Sequence, residues 1–346
     1  MMPAADGAAP APAAAATADD ASPGREGRQR RGAEAEPQRP ALSRRPRPLT
    51  HVLLDLDDTL YREARVGDTV REHIVDYVAE HLSLPRDRAA ALTSELYASH
   101  GTTMAGLAAV GHSIEPDHWH GRVHAPLDYE ALLSRDEALV GMLSALTRTR
   151  TCCVFTNADR RHMDACLRLL GATGGDEEEQ GGGVRWSARG HYYFENVQAL
   201  GAERGLLPVA GGEEGSKGKK GFLAKPSADV FRMVSEHCGA VSPRACVFVD
   251  DSPRNVAAAK AVGMYSVLVG RRRGETVEGA DACVETVLEL PEVLPELFVA
   301  LEGAVVGQAA AAAAEAAVAA AAGAASGEKD EVGAAAVAVA VAVAAG

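Results

Sequence analysis

The sequence predicts an α/β fold: a mostly parallel sheet with helices on both faces, and a small helical domain inserted after the first strand. Three observations predict it. Short apolar runs alternate with helical patterns, as in sheets built from crossover units. Three of those runs end in polar residues, at Asp55, Thr156 and Asp250, and ligands of parallel sheets bind at the carboxyl ends of strands. Residues 65–147, between the first run and the second, carry helical periodicity but no strong strand signal.

Taken in order, residues 1–48 are rich in Ala, Pro, Gly, Arg and Glu. They hold too few large apolar side chains to offset the entropy of ordering, which predicts a disordered tail. Val52–Leu54 reads as a buried strand within a first core segment, 49–64. Val66, Val70, Ile74, Val75, Val78 and Leu82 share one face, predicting a helix over 66–82. Helices over 86–97 and 137–146 complete the insertion, 65–147. The core resumes over 148–300. Cys152–Phe155 is a strand, and 161–170 a helix stopped by Gly171. Residues 191–194 read as a short strand, 227–238 as a helix and 246–249 as a strand. Ser252 suits the N-cap of the next helix and Pro253 its first turn, and that helix ends at Gly263. Tyr265–Val269 is one more strand. The Gly-rich stretches 176–183 and 208–221 read as solvated insertions. Residues 301–346 form an Ala-rich tail; its run from Ala309 has high helix propensity but hardly any apolar stripe, predicting a frayed helix or disorder.

The net charge of −13 argues against a general nucleic-acid binder. The basic stretch 25–47 is local and interrupted by Glu, as in a solvated tail. Transit peptides are acid-poor, whereas Asp6, Asp19, Asp20 and Glu26 stand in this tail. No stretch has the length and bulk of a transmembrane helix, and the Ala/Val alternation at 336–345 is too short to span a bilayer. The six cysteines show no C-x-x-C spacing, and most fall in predicted strands or helices. A reducing, cytoplasmic compartment is expected, with an organelle address in the N-terminal tail left open.

The run Asp55-Leu56-Asp57-Asp58-Thr59 closes the first strand. Bunched carboxylates are costly unless something positive holds them, most simply a metal ion with an anionic ligand. Asp55 and Asp57 therefore point to a Mg²⁺ site for phosphate chemistry. Singly, the later motifs read otherwise: Asp250-Asp251 as a turn with a helix cap, Lys225 as a surface lysine, Thr156 as a turn hydroxyl. In order, Asp-x-Asp-x-Thr (55–59), Thr156, Lys225 and Asp250-Asp251 resemble the four motifs of the haloacid dehalogenase superfamily over residues 50–290.

That resemblance implies a Rossmann-like sheet, with the helical insertion as a mobile cap that excludes water and selects substrate. It implies Asp55 as a nucleophile that forms an aspartyl-phosphate. Asp57 would be the general acid for the leaving alkoxide, then the base for water. Asp55, Asp57 through its backbone carbonyl, and Asp250 would ligate Mg²⁺, with Asp251 holding a ligated water. Thr156 would donate to a phosphoryl oxygen, and Lys225 would neutralise charge on the nucleophile and the transferring group. Thr59 and Asn157 would orient these groups or touch the substrate. Dehalogenases of the superfamily lack the second Asp, so Asp57 argues for phosphoryl transfer.

Finer stretches resemble one branch: 55–61, 97–107, 154–160, 168–171 and 248–255. They are similar to the pyrimidine 5′-nucleotidases, the suppressor-of-disruption-of-TFIIS-like proteins of fungi and plants. This implies a small phosphorylated metabolite as partner, a nucleoside monophosphate such as UMP or CMP, rather than a membrane or a nucleic-acid polymer. A phosphatase for a sugar or vitamin phosphate, and a catalytically silent binding protein on the same fold, stay open. The insertion at 208–221 departs from the branch and threatens the placement of Lys225. Oligomeric state is not legible.

His112, His118, His120 and His124 lie close together in the insertion. Their spacing suits zinc, but no Cys or carboxylate cluster is interleaved at finger-like intervals. They read as contacts between cap and core, or with substrate. Trp119 and Tyr129 read as apolar core or as a stacking surface for a base.

Overall fold

The computed structural model describes residues 48–174, 183–207 and 221–301. Both tails and most of the two Gly-rich stretches lie outside these residues. Among the described residues, five strands form one sheet in the order β2-β1-β3-β4-β5. They are β1 (His51–Leu54), β2 (Thr151–Val154), β3 (Cys246–Asp250), β4 (Tyr265–Val269) and β5 (Ala282–Val284). Every pairing is parallel, as the alternation of strands and helices predicts.

Successive strand residues point to opposite faces, so each strand feeds two cores. Val52 and Leu54, with Val154, Val249 and Val267, join one cluster. Helices α6 (Glu137–Thr147), α7 (Arg160–Leu170) and α11 (Leu290–Val293) cover that face. Leu53, Cys153, Phe155 and Phe248 join the other, covered by α8 (Phe194–Glu203), α9 (Ala228–His237) and α10 (Pro253–Ala261). All six cysteines are free and buried, behaving as small apolar residues.

Helices α1 (Ala64–His81), α2 (Arg86–His100), α3 (Thr103–Ala109) and α4 (Pro116–Val123) cluster apart from the sheet. Tyr77, Val78, Leu96, Leu107 and Trp119 form that cluster, with Phe194 of α8 seated against it. The short α5 (Tyr129–Leu132) and then α6 lead back to the sheet. The sequence reading missed α3 and α4, which are short and carry Gly and His where an apolar stripe would stand. Gly106 lets α3 approach α2 closely, since a Cβ there would lie 2.7 Å from Leu96 Cβ.

Two other differences have local causes. Residues 191–194 are not a strand: Tyr192 makes a single bridge to Phe155, and Phe194 starts α8. The N–H of Val154 is answered by the Nδ1 of His191, a side chain in place of a ladder carbonyl. The Asn196 side chain then accepts from Tyr193 N–H and turns the chain into the helix. Strand β5 has only three residues, too few for a periodic signal. Helix α7 ends as expected at Gly171, whose φ of 75° is left-handed. Among the described residues no helix is long and apolar enough to cross a membrane.

Candidate active site

Leu54 pairs with both Val154 and Val249, so β1 and β2 end level and β3 runs one residue further. The residues that follow meet at one edge of the sheet. Asp55 continues β1, its N–H donating to Val249 C=O at 2.9 Å. Thr156 follows β2, Asp250 ends β3, and Lys225 enters from the segment before α9.

Lys225 is only 1 % exposed. Its ammonium donates to Asp55 Oδ1 at 2.6 Å and to Asp250 Oδ2 at 2.8 Å. It also lies 5.2 and 5.4 Å from the ring centroids of Phe155 and Phe248. Burial pulls its pKa down, but the two carboxylates outweigh that and hold it above the ordinary lysine value. Asp250 is fully buried and also accepts from Ser252 N–H at 2.8 Å and from Asn255 Nδ2 at 3.0 and 3.1 Å.

Burial pushes the Asp55 carboxyl well up; Lys225 opposes this, while Asp250, Asp251 and Asp57 add to it. Burial, then Asp250 and Asp58, push Asp251 up to about 7. Carboxylate oxygens of Asp55, Asp250 and Asp251 lie within 4.8 Å of one another. Three carboxylates against one ammonium leave the cluster short of positive charge.

Asp57 has a different setting. Its side chain is 40 % exposed, with Tyr61 Oη donating to Oδ1 and His162 Nε2 2.7 Å from the same oxygen. Desolvation would raise this carboxyl, but the charge and hydrogen bond of His162, with Tyr61, hold it at about 2. His162 answers in kind: burial would lower it, and the Asp57 carboxylate lifts it well above its ordinary value. Tyr129 Oη lies 2.8 Å from His162 Nδ1. Trp119, packed edge-on against Tyr77 at 4.8 Å, is 4 % exposed.

Thr156 Oγ1 accepts from Ala158 N–H at 3.0 Å, leaving its own proton to donate. Asn157 is bonded to the backbone of Lys225. Thr59 Oγ1 is buried with no hydrogen-bond partner among the described residues. Asp55, Asp57, Thr156, Asn157, Lys225 and Asp251 line one cavity of about 270 Å³, while Thr59 and Asp250 do not reach it. An adjoining cavity of about 510 Å³ shares Asp57, Asp58, Val70 and Ile74. The helical insertion touches this site through Gly101, at φ 87°, where a Cβ would lie 2.8 Å from Lys225 C=O.

A model of the haloacid dehalogenase-like hydrolases matches residues 49–263, well over half of the chain. The chain belongs to that family. Among solved structures, this hydrolase is similar to a HAD phosphatase from Thermococcus onnurineus, with 19 % identity, 72 % of this chain and 100 % of that one covered, and a TM-score of 0.44. It is also similar to a hydrolase from Pseudomonas syringae, with 17 % identity, 71 % and 98 % covered, and a TM-score of 0.43. A third is the L-2-haloacid dehalogenase from Xanthobacter autotrophicus, with 16 % identity, 71 % and 98 % covered, and a TM-score of 0.39.

Three residues of the hydrolase's site are not evident as site residues from the sequence: Tyr61, His162 and Asn255. Asn255 had a local signal, standing five residues after Asp250 in the first turn of α10. His162 had none, because its partner Asp57 lies in a distant segment.

Proposed function

We propose that this chain is a Mg²⁺-dependent phosphomonoester hydrolase that works through an aspartyl-phosphate at Asp55, with a pyrimidine nucleoside 5′-monophosphate as substrate. The observation that carries the reaction class is the second carboxylate, Asp57. It opens to the cavity two residues past Asp55, held by Tyr61 and His162. Breaking a carbon–halogen bond needs no such acid, whereas expelling an alkoxide does.

Asp55 attacks phosphorus and the bond to the ester oxygen breaks as the aspartyl-phosphate forms. Asp57 rests ionised beside a charged His162, so the proton that the departing alkoxide takes passes from His162 Nε2, 2.7 Å away, through Asp57. Asp57 then takes a proton from water as that water attacks the aspartyl-phosphate and returns it to His162, releasing phosphate and restoring Asp55. Lys225 offsets charge on Asp55, and the Thr156 hydroxyl donates to a phosphoryl oxygen. The Asp55, Asp250 and Asp251 carboxylates, with the Asp57 carbonyl, are hard oxygen donors of the kind Mg²⁺ takes, and their shortage of positive charge fits a divalent ion. When bound, Mg²⁺ supplies the charge that lessens repulsion between phosphoryl oxygens and these carboxylates.

The substrate rests on the likeness of five stretches to the pyrimidine 5′-nucleotidases and on the cavity wall. Val70, Ile74, Met104, Trp119 and Phe194 give an apolar side next to Asp55 and Lys225, which suits a nucleoside joined to a phosphate. Helices α1–α4 are the cap in this reading. Phosphate release with Mg²⁺ across nucleoside monophosphates and sugar phosphates tests it, with Asp55→Asn as control. Preference for UMP and CMP is expected. Preference for another ester would discard the substrate and keep the chemistry, and no release from any ester would overturn both.

A further inference from the structure

We propose that His120, His124 and Asp159 form a second metal site, separate from the Asp55 cluster, that takes a zinc-class divalent cation and ties α4 to the start of α7. The inference does not depend on the substrate or on the reaction at Asp55.

Four facts carry it. His120 and His124 stand one helical turn apart at the end of α4, their rings 5.5 Å apart and 20° from parallel. Both present Nδ1 to one oxygen, Oδ2 of Asp159, which lies 3.3 Å from His120 and is hydrogen-bonded to His124. His120 is 8 % exposed, yet neither of its ring nitrogens has a hydrogen-bond partner among the described residues. The other oxygen of Asp159, Oδ1, accepts from the N–H groups of Arg161 and His162 at 3.0 and 3.2 Å.

A buried imidazole with no aligned hydrogen bond at either nitrogen, and only a carboxylate oxygen 3.3 Å from one of them, is costly and rare. A hydrogen-bond reading leaves His120 bare. A cation between the three donors gives His120 Nδ1 a partner, because zinc bonds of about 2.0–2.2 Å in a tetrahedron separate the donors by about 3.3–3.5 Å, close to the 3.3 Å between His120 Nδ1 and Asp159 Oδ2. The three donor atoms lie within 4.8 Å of one another, so short side-chain shifts complete the set. Two imidazole nitrogens and one carboxylate favour zinc over magnesium, which takes oxygen donors. The backbone bonds to Asp159 Oδ1 are the outer support that orients a metal-binding carboxylate. His162, the next imidazole at 4.7 Å from His124, is engaged with Asp57 and Tyr129 and is not a ligand. His120 and His124 also line the cavity of about 270 Å³, from which a further ligand would reach the cation. The missing carboxylate of the histidine cluster thus comes from another element, 35 residues after His124.

The test uses the full chain, stripped by a chelator and titrated with Co²⁺, then Zn²⁺. One equivalent of Co²⁺ with the intense visible bands of a tetrahedral site is expected, displaced by Zn²⁺, with a rise in unfolding temperature. His120→Phe should abolish this while the metal-free protein stays folded, because Phe keeps the edge-on packing against Phe194 (4.9 Å) and removes no hydrogen bond. His124→Gln should abolish it as well, and Asp55→Asn should leave it intact. No stoichiometric binding, binding that survives both histidine variants, or binding lost in Asp55→Asn would each overturn the proposal. So would a His120→Phe effect confined to the KM for a phosphomonoester.

Discussion

Asn157 grips Lys225 by both edges of its backbone. Its Oδ1 accepts the Lys225 N–H at 2.9 Å, and its Nδ2 donates to the Lys225 C=O at 3.1 Å. One amide thus ties the end of β2 to the segment that delivers the buried ammonium, just beyond the Gly-rich stretch. Asn157→Ala should lower kcat about 10-fold or more with little change in KM, since the lysine loses its register. It should also cost about 1–3 kcal/mol of stability, by leaving two backbone groups unpaired. Steady-state kinetics and denaturant unfolding read the two effects.

Lys225 sits between Asp55 and Asp250 with almost no solvent. Removing one partner of a buried ion pair leaves uncompensated charge, a loss of about 3–5 kcal/mol. Lys225→Met should show a loss of that order in urea unfolding at neutral pH, and adding Asp250→Asn should recover part of it.

If Asp57 is the acid, its loss must tell most on esters whose alcohol leaves poorly. Asp57→Asn should slow hydrolysis of an alkyl phosphate about 10²-fold or more, and that of a nitrophenyl phosphate much less. Comparing kcat/KM on the two esters checks this. Equal losses on both would move the acid elsewhere.

His191 accepts the Val154 N–H at 3.1 Å, so it must be neutral there. Burial lowers its pKa from 6.5 to about 4, against a small opposing effect of Asp164. Between those values the unfolded chain binds more protons than the folded one, so stability rises with pH. The contribution is complete above pH 6.5 and is lost as pH falls through about 4, roughly 3 kcal/mol at most. His191→Asn keeps an acceptor without a titrating ring. Its unfolding free energy should fall less than that of the parent between pH 7 and pH 4.

The sheet was legible because its strands are buried on both faces and read as short apolar runs. The gathering of Asp55, Thr156, Lys225 and Asp250 was legible too, since three of them stand at the ends of such runs. Helices α3 and α4 were not, because Gly106 and the histidines of α4 break the apolar stripe that marks a helix. His162 and Asp159 were illegible for another reason. Each acts through a residue more than 30 positions away, Asp57 or His124, and no local pattern records such a pairing. The 191–194 segment misled because His191 substitutes a side chain for a strand's backbone.

Covalent attack by Asp55 is read by acid-quenched peptide mapping during turnover of a phosphomonoester with Mg²⁺. A phosphoryl group should appear on the peptide that holds Asp55 and none in Asp55→Asn, which should also release no phosphate. Turnover without any label at Asp55, or undiminished release by Asp55→Asn, would contradict it.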